Sequence, residues 1–308
     1  MQLKASAPGS LMLLGEYAVL YGKPALVCAV DKRIAVTLTP RTDETIEIHS
    51  ASHGHHVTTL SQLTIEKPFH FVLGALKHYQ TRLRRGCNIE ITSEFSDKVG
   101  LGSSAAVTAA TLAAIITWLN IKISPIELIR QGRTVIRQVQ GTGSGADIAA
   151  SVFGGIVGYQ PQPLMAEKFS TLHPLSVIYA GFKTPTVEAI KQVQQTFSTR
   201  PQLFRHLQNG IGQCALDGIQ YVRQADWTKL GEIMTIQQGM MESLGVSMPL
   251  LRDLIEKLHQ QPGMLGAKIS GSGLGDCVIG LGELTHVPDS LHHIPVMMTQ
   301  QGVQCEKI

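Results

Sequence analysis

The chain has 308 residues, of which 44% are hydrophobic and 16% are charged, and its formal net charge is +3. This length suits one large domain or two of ordinary size, and the composition is typical of a globular protein with a substantial core. The slight positive charge argues against a nucleic-acid-binding protein, which needs a dense basic face, and no basic run long enough for DNA or a membrane surface occurs.

The N-terminal segment and the cysteines indicate a cytoplasmic protein without a membrane anchor. The segment MQLKASAPGSLMLLGEY has only a short apolar stretch, interrupted by glycine and glutamate, and does not resemble a secretory signal. The longest apolar run, at residues 105–119, is too short to span a bilayer. Five scattered cysteines without a CxxC pair predict reduced thiols in the cytoplasm.

Alternation of polar and β-branched residues predicts strands in the first third of the chain. The predicted strands are residues 25–30, 34–39, 45–49 and 87–92, with turns at Asp31-Lys32 and at residues 40–44, and residues 68–82 are predicted to be helical.

The segment Ser124-Pro125-Ile126-Glu127 predicts the start of a helix. Serine is a favourable N-cap, proline fits the first helical position, and glutamate three residues after the cap closes a capping box. We expect this helix to run to about Gln138. A glycine-rich turn, a helix at 148–153 and a strand at 155–159 follow, and residues 161–163 are the expected domain boundary.

The second half of the chain is richer in helical patterns. Helices are predicted at residues 187–197, 203–223, 227–244 and 249–259, and strands at 175–180, 267–269 and 277–281. Strands first and helices later indicate an α+β arrangement over two lobes.

Glycines and small hydroxyl residues cluster in three turns at the ends of apolar segments. These turns are residues 8–22 (PGSLMLLGEYAVLYG), 100–104 (GLGSS, with Lys98 just before it) and 268–280 (KISGSGLGDCVIG). Glycine lets a ligand approach the backbone, and a helix start presents unpaired N–H groups to a phosphate. Each turn alone is well explained as turn and N-cap chemistry, with Ser103 or Ser104 as the cap. Three such turns together favour a nucleotide or phosphate site, although neither a Walker loop nor a dinucleotide fingerprint is present.

A fourth glycine-rich segment, GTGSGAD at residues 141–147, places Asp147 before an apolar segment. Such an aspartate is either an N-cap or the group that takes a proton from an attacking hydroxyl in phosphoryl transfer.

Together these motifs resemble those of the GHMP kinase family, which includes galacto-, homoserine, mevalonate and phosphomevalonate kinases. Residues 8–22 resemble the N-terminal motif, GLGSSAA the ATP-phosphate loop and SGSGLGDC the C-terminal glycine-rich motif. The resemblance implies a two-lobed α+β fold. Its N-terminal domain (1–162) would hold a mixed sheet with helices, and its C-terminal domain (163–308) would be a ferredoxin-like, helix-rich lobe.

The resemblance also implies roles in phosphoryl transfer from ATP, with Mg²⁺, to an alcohol bound between the lobes. Asp147 would be the base or orienting group, Lys98 a catalytic cation, and Ser104 the Mg²⁺ contact. The ATP phosphates would lie on Gly100, Leu101, Gly102, Ser103, Ser104, Ala105, Gly271, Ser272 and Gly273. The substrate would contact Ser10, Glu16, Tyr17, Ser144, Gly145, Lys183 and Thr184.

Two branches of the family share these motifs. The segments GEYAV, KVGLGSSA, GADIAASVFGG and GDC resemble phosphomevalonate kinases, whereas YGKPAL and the compact length resemble mevalonate kinases. The sequence therefore favours mevalonate 5-phosphate as the small acidic substrate, with mevalonate as the alternative. A non-catalytic regulator that binds nucleotide or a small acid is a remoter alternative, and a homodimer remains open.

Two positions depart from the family pattern. Ser10 stands where both branches usually carry lysine, and Ile136 stands where mevalonate kinases carry a Mg²⁺-binding glutamate. Loss of a cation from a desolvated phosphate site would cost about 2–4 kcal/mol of transition-state stabilisation. Lys98, Lys23 and Lys183 are the candidates to replace it.

Two further groups of residues have alternative interpretations. Arg130, Arg133 and Arg137 share one helix face, which is expected to be solvated rather than to receive an acidic substrate. Four histidines follow no recognised zinc-ligand spacing and are expected on a surface loop: His49, His53, His55 and His56.

Overall fold

The computed structural model describes residues 2–284 and 292–308. Within these residues the strands are β1 (Leu3–Leu14), β2 (Ala25–Pro40), β3 (Thr45–Ser50), β4 (Gly54–Thr59), β5 (Cys87–Ser93), β6 (Ile156–Pro161), β7 (Leu164–Phe169), β8 (Leu175–Tyr179), β9 (Ala267–Ser270), β10 (Cys277–Leu281), β11 (His292–Ile294) and β12 (Gln304–Lys307). The α-helices are α1 (His70–Tyr79), α2 (Ser103–Trp118), α3 (Pro125–Gln140), α4 (Ala146–Phe153), α5 (Thr186–Thr196), α6 (Pro201–Gln224), α7 (Trp227–Ser243) and α8 (Pro249–His259).

An eight-stranded mixed sheet organises the N-terminal half. Its order is β12-β1-β2-β5-β3-β4, with β6 pairing to β2 and β7 pairing to β6, and only the β3–β5 pair is parallel within the described residues. Helix α2 packs on β1 and β2 and is flanked by α1, α3 and α4. Because neighbours cover it on every side, α2 is apolar around nearly its whole circumference and forms the centre of the first core.

A four-stranded antiparallel sheet of order β11-β8-β10-β9 organises the C-terminal half. Helices α7 and α8 pack on it, and α6 packs on α7 and reaches back to β1 and β2. Two sheets with segregated helices confirm the predicted α+β fold. The cleft between the two halves is where the glycine-rich segments meet.

The expected turn at Asp31-Lys32 is wrong, because β2 runs through it as one strand. The pairing of β2 with β1 shifts between Ser10↔Ala29 and Pro8↔Arg33, so the extra residues form a bulge. The Asp31 N–H donates to the Met297 carbonyl at 2.8 Å, which satisfies the backbone where the ladder is interrupted. The polar residues Asp31 and Lys32 therefore lie at a bulge within one strand and not at a chain reversal.

The first of the three expected glycine-rich turns is also wrong in part, because Pro8-Gly9-Ser10 lies inside β1. The chain turns only at Gly15 and in the short 3₁₀ helix Ala18–Tyr21. Placing these small residues within a strand brings Ser10 into the centre of the molecule, where it is 1% exposed.

The predicted start of α3 is confirmed. The hydroxyl of Ser124 accepts a hydrogen bond from the Glu127 N–H at 3.2 Å, and Pro125 occupies the first helical position. The helix ends two residues later than expected, at Gln140, where Gly141 adopts the left-handed conformation at φ 76°.

The connection at residues 162–163, where a domain boundary was expected, lies inside the antiparallel β6–β7 hairpin. Strand β7 therefore belongs to the first sheet, and so does β12 at the end of the chain. The division of the chain into 1–162 and 163–308 stays a prediction, and the hairpin favours placing the division after Phe169.

The histidines lie on the β3–β4 hairpin rather than on a loop alone, and three of them face carboxylates: His53 pairs with Asp97, His55 with Glu47 and His56 with Glu66. No group of three or more potential metal ligands among His, Cys, Asp and Glu occurs in the described ranges.

The arginines of α3 bind the protein itself: Arg130 pairs with Glu127, Arg133 donates to the Pro161 carbonyl and Arg137 to the Gly143 carbonyl.

In residues 2–284 and 292–308, every helix is too short or too polar to cross a membrane.

Candidate active site

A cavity of about 180 Å³ opens between the two halves of the molecule. Its walls come from the end of β1, the starts of α2 and α4, the end of α3, helix α5 and the loop after β9. The structure brings nine of the predicted site residues to this wall: Glu16, Tyr17, Ser104, Ala105, Ser144, Gly145, Asp147, Gly271 and Ser272. Residues from all the motifs singled out in the sequence therefore converge on one cleft.

The phosphate loop, residues 100–105, leads directly into α2. Gly102 is the N-cap of α2 and adopts a left-handed conformation at φ 64°, so the expected capping by Ser103 or Ser104 is wrong. No side chain of a described residue caps the helix. The first N–H groups of α2 and the hydroxyls of Ser103 and Ser104 are therefore available to an anion, and the positive end of the helix dipole favours one.

Close packing against β1 explains two glycines near this loop. The Ser10 N–H donates to the Leu101 carbonyl at 3.0 Å. A Cβ on Gly9 would lie 2.7 Å from that same carbonyl oxygen, and a Cβ on Gly102 would overlap the Ser10 hydroxyl. Glycine at both positions lets the strand and the loop touch through their backbones.

Asp147 lies in the first turn of α4, but Gly145 is the N-cap of that helix, so the alternative of Asp147 as the cap is wrong. Its Oδ1 atom accepts a hydrogen bond from the Ser10 hydroxyl at 2.8 Å. Burial raises the pKa of Asp147, while the Ser10 hydrogen bond and the positive charge of Lys183 oppose that rise. One carboxylate oxygen is thus held by Ser10, and the side chain faces the cleft.

A buried ion pair that the sequence reading missed lies beneath the cleft. Lys268 of β9 is fully buried and donates to the carboxylate of Glu16 and to the Ile269 carbonyl. Gln237 of α7 donates to the second Glu16 oxygen at 2.5 Å and accepts from the Gly15 N–H at 2.9 Å. The only signal in the sequence was a lysine inside the otherwise apolar strand pattern AKIS.

Tyr17 connects the first motif to the third. Its φ of 61° and ψ of −51°, with a 2.6 Å hydrogen bond from the Ala18 N–H to the Glu16 carbonyl, define a strained γ-turn. The Tyr17 hydroxyl donates to the Ser272 carbonyl at 2.6 Å. Burial raises the pKa of Tyr17, and the negative charge of Glu16 raises it further, so the phenol keeps its proton.

Lys183 and Thr184 lie at the edge of the cleft, not on its wall. The Thr184 hydroxyl donates to the Leu274 carbonyl at 2.5 Å, and the Lys183 Nζ atom lies 3.8 Å from Oδ2 of Asp276. Asp276 was not among the predicted site residues, although the sequence places it next to the glycines of the third motif.

Lys98 is exposed and does not line the cleft. Its N–H donates to the Ser96 hydroxyl at 3.2 Å, and its side chain forms no ion pair with any residue that the structure describes. Its catalytic role stays a prediction.

The residues on the cleft wall are chemically suited to binding Mg²⁺ together with a nucleotide. Mg²⁺ usually takes one or two protein ligands together with phosphates and water. The Ser104 hydroxyl on the cleft wall meets that requirement, and Ile136 contributes only an apolar side chain to the same wall. Helix α3 therefore presents a hydrocarbon surface at the position where the family pattern led us to expect a carboxylate.

Comparison with known proteins identifies the family of this chain. The model for the GHMP kinases N terminal domain matches residues 70–155, and the model for the GHMP kinases C terminal domain matches residues 219–290. A mevalonate kinase from Thermococcus sibiricus is 30% identical over 299 residues, which is 91% of this chain and 89% of that protein.

Two solved structures share the fold. A Lin0012 protein from Listeria innocua has a TM-score of 0.88 and 23% identity, with 100% of both chains covered. A phosphomevalonate kinase from Streptococcus pneumoniae, in complex with phosphomevalonate and AMPPNP, has a TM-score of 0.76 and 19% identity over 91% of this chain and 92% of that one. With its three motifs meeting in one cleft and both family domains matched in order, this chain belongs to the GHMP kinase family.

Proposed function

We propose that the protein transfers the γ-phosphoryl group of ATP to the primary hydroxyl of mevalonate. The observation that supports this most directly is the charge of the cleft wall. Two carboxylates line it, Asp147 and Glu16, and the charge of Glu16 is balanced by Lys268 beneath the wall. None of the described lining residues is lysine or arginine, so the wall accommodates an acceptor with one anionic group better than one that also carries a phosphate.

The arrangement of Asp147 supports a role toward the acceptor hydroxyl. Because Ser10 holds Oδ1, the other carboxylate oxygen is the one to accept the hydroxyl proton as the acceptor oxygen attacks the γ-phosphorus. The bond between that phosphorus and the oxygen bridging to ADP then breaks, and ADP leaves with the electron pair. Mg²⁺, when bound with ATP, neutralises phosphate charge.

The remaining wall is suited to orienting a small polar acid. Hydroxyl and amide groups come from Gln140, Thr142 and Ser144, and apolar surface comes from Met12 and Ile136. The N-terminus of α4 adds unpaired N–H groups that favour a carboxylate. We infer that this end of the cleft holds the acid, with its hydroxyl directed toward Asp147.

Mevalonate 5-phosphate, which the sequence motifs favour, is the second candidate acceptor. Lys183 at the edge of the cleft supports it, since an ammonium there is within reach of a phosphate on the acceptor. The likeness to the phosphomevalonate kinase structure supports the fold alone. Relatives that match about nine tenths of the chain include the mevalonate kinases of Thermococcus sibiricus and Pyrococcus abyssi, which favours the unphosphorylated acid.

ADP release measured with mevalonate, mevalonate 5-phosphate, homoserine and galactose tests the proposal. We expect turnover with mevalonate and loss of at least about 100-fold in Asp147→Asn. Asp253→Asn, which changes an exposed aspartate on α8, serves as the control. Preference for mevalonate 5-phosphate would establish the second candidate, and nucleotide binding without turnover on any acceptor would support the regulator.

A further inference from the structure

The carboxylate of Asp276 combines burial, an unusual backbone and an unsatisfied oxygen. The residue is 7% exposed and adopts φ 70°, a left-handed conformation that residues other than glycine seldom adopt. Its Oδ1 atom is buried and accepts no hydrogen bond of good geometry within the part of the chain that the structure describes, although the adjacent Gly100 N–H is close enough to lower the pKa of the carboxyl group. Such a residue persists only where its surroundings determine it, and it is found most often at functional sites.

The backbone of Asp276 fixes the turn that carries Lys183. The Asp276 N–H donates to the Phe182 carbonyl at 2.8 Å, and the Ala180 N–H donates to the Asp276 carbonyl at 2.8 Å. The Thr184 hydroxyl adds a third bond, to the Leu274 carbonyl. The turn after β8 and the loop before β10 therefore form one unit.

The side chain of Asp276 joins this unit to the phosphate loop. It packs against Gly100 so closely that a Cβ on Gly100 would overlap the carboxylate. Its Oδ2 atom also lies 3.8 Å from the Lys183 Nζ atom. Gly100 and the ammonium are thus both neighbours of this one carboxylate.

The ammonium of Lys183 also acts on Asp147. After burial, which raises the pKa of Asp147, and the Ser10 hydrogen bond, which lowers it, the charge of Lys183 is the next largest influence and lowers it further. In the proposed transfer, the phosphoryl group lies between the phosphate loop and Asp147. Lys183 is joined to the phosphate-loop side of that space through Asp276, and its charge acts on Asp147 at the other side.

Other lysines are less well placed. Lys268 is fully buried and paired with Glu16, and Lys98 is exposed without an ion pair in the described residues. The Lys183 side chain is 31% exposed, so its ammonium can move from Asp276 to a phosphate at small desolvation cost.

We propose that Lys183 is the catalytic cation that neutralises the transferred phosphoryl group, and that Asp276 is the positioning residue that holds Lys183 beside the phosphate loop. This inference rests on the proposed phosphoryl transfer, but not on the identity of the acceptor. It assigns to the C-terminal half the positive charge that Ser10 does not supply from the N-terminal half.

The first experiment compares kcat and KM in Lys183→Met, Lys183→Arg and the control Lys191→Met, which changes an exposed lysine on α5. With whichever acceptor is turned over, kcat of Lys183→Met should fall about 100-fold, because the lost interaction is strongest in the transition state. Lys183→Arg should recover part of it. An unchanged kcat in Lys183→Met, or an equal loss in Lys191→Met, overturns the proposal.

A second experiment needs no acceptor and therefore separates this inference from the proposed function. Calorimetry measures the affinity of each variant for AMPPNP, which has a terminal phosphate, and for ADP, which lacks it. Lys183→Met should weaken AMPPNP binding about tenfold and leave ADP binding within about twofold. Equal weakening of both nucleotides, or of neither, contradicts a cation directed at the γ-phosphate.

Asp276→Asn tests the positioning role with the side-chain shape preserved. It should weaken AMPPNP selectively, as Lys183→Met does but by less, and should change AMPPNP affinity little further when added to Lys183→Met. A purely structural role predicts equal weakening of AMPPNP and ADP and additive effects in the double variant. Absence of turnover on every acceptor, together with a selective effect on AMPPNP, would reject the proposed function and the catalytic role of Lys183, and would keep only its placement at the γ-phosphate by Asp276.

Discussion

Two ion pairs at the cleft, Glu16–Lys268 and Lys183–Asp276, differ in almost every physical respect. Lys268 is fully buried, and both Glu16 oxygens receive hydrogen bonds, from Lys268 and from Gln237. In the second pair the ammonium is 31% exposed, 3.8 Å from its partner, and one carboxylate oxygen accepts no hydrogen bond of good geometry in the described residues.

This difference indicates different tasks. A buried pair with every polar atom satisfied has one stable arrangement, so Glu16–Lys268 joins β1 to β9 across the two halves of the molecule. In the looser pair the ammonium is 31% exposed and 3.8 Å from its partner, so a phosphate can attract it more easily than it could attract Lys268. The first pair is therefore suited to fix the lobes and the second to bind a ligand.

The largest effect is expected at the buried pair. Lys268→Met leaves the Glu16 carboxylate buried without its partner, which should lower the free energy of unfolding by about 3–5 kcal/mol. Urea denaturation measures this. The double variant Lys268→Met with Glu16→Gln removes both charges and should recover much of the loss. If the single variant is as stable as the parent protein, the pair does not join the lobes.

The next largest effect is expected on activity alone. Asp147→Asn should lower kcat at least about 100-fold and leave the urea midpoint unchanged or raised, since burial disfavours the charged form of Asp147. A large loss of stability with intact specific activity would place Asp147 with Glu16 as a structural carboxylate.

The variant Ser10→Ala tests, through the pH dependence of activity, whether Asp147 acts at the reaction centre rather than as a structural carboxylate. The Ser10 hydrogen bond favours the charged carboxylate, so its loss should raise the pKa of Asp147 further and move the acid limb of kcat/KM to higher pH. Activity should fall about tenfold at low pH and less at high pH. The control is Ser243→Ala on α7, where the hydroxyl bonds only the Gly239 carbonyl. An unshifted acid limb contradicts proton acceptance by Asp147.

The smallest effect is the stability change in Lys183→Met. Only the ammonium of this pair is partly exposed, and at 3.8 Å it holds Asp276 more loosely than Lys268 holds Glu16, so the loss in the free energy of unfolding should be smaller than in Lys268→Met. Urea denaturation beside Lys268→Met makes the comparison direct. A loss as large as that of Lys268→Met would mean that both pairs are structural.

Much of the fold was readable from local pattern. The bounds of α8 and β10 agree with the predicted residues, and Ser124 caps α3 as its spacing indicated. The error at residues 31–32 lies where pairing over long distances overrides local preference. Asp31-Lys32 is polar enough for a turn, but pairing with β1 and with Met297 keeps it in a strand.

Some residues of the candidate site were likewise predictable from local sequence, and others were not. The phosphate loop and Asp147 are recognisable because their glycines, hydroxyls and following helix are contiguous, and a helix start binds anions wherever it lies. Asp276 could have been suspected from GDC, but nothing local showed that its carboxylate would meet Gly100 and Lys183.

By itself the sequence determined the helices, most strands and the family, because each depends on residues close together in the chain. Only the tertiary structure decided which side chains meet: Ser10 with Asp147 across 137 residues, and Glu16 with Lys268 across 252. The physical reason is that burial and charge pairing depend on packing in space. A serine in a strand or a lysine in an apolar segment acquires its role only from what faces it.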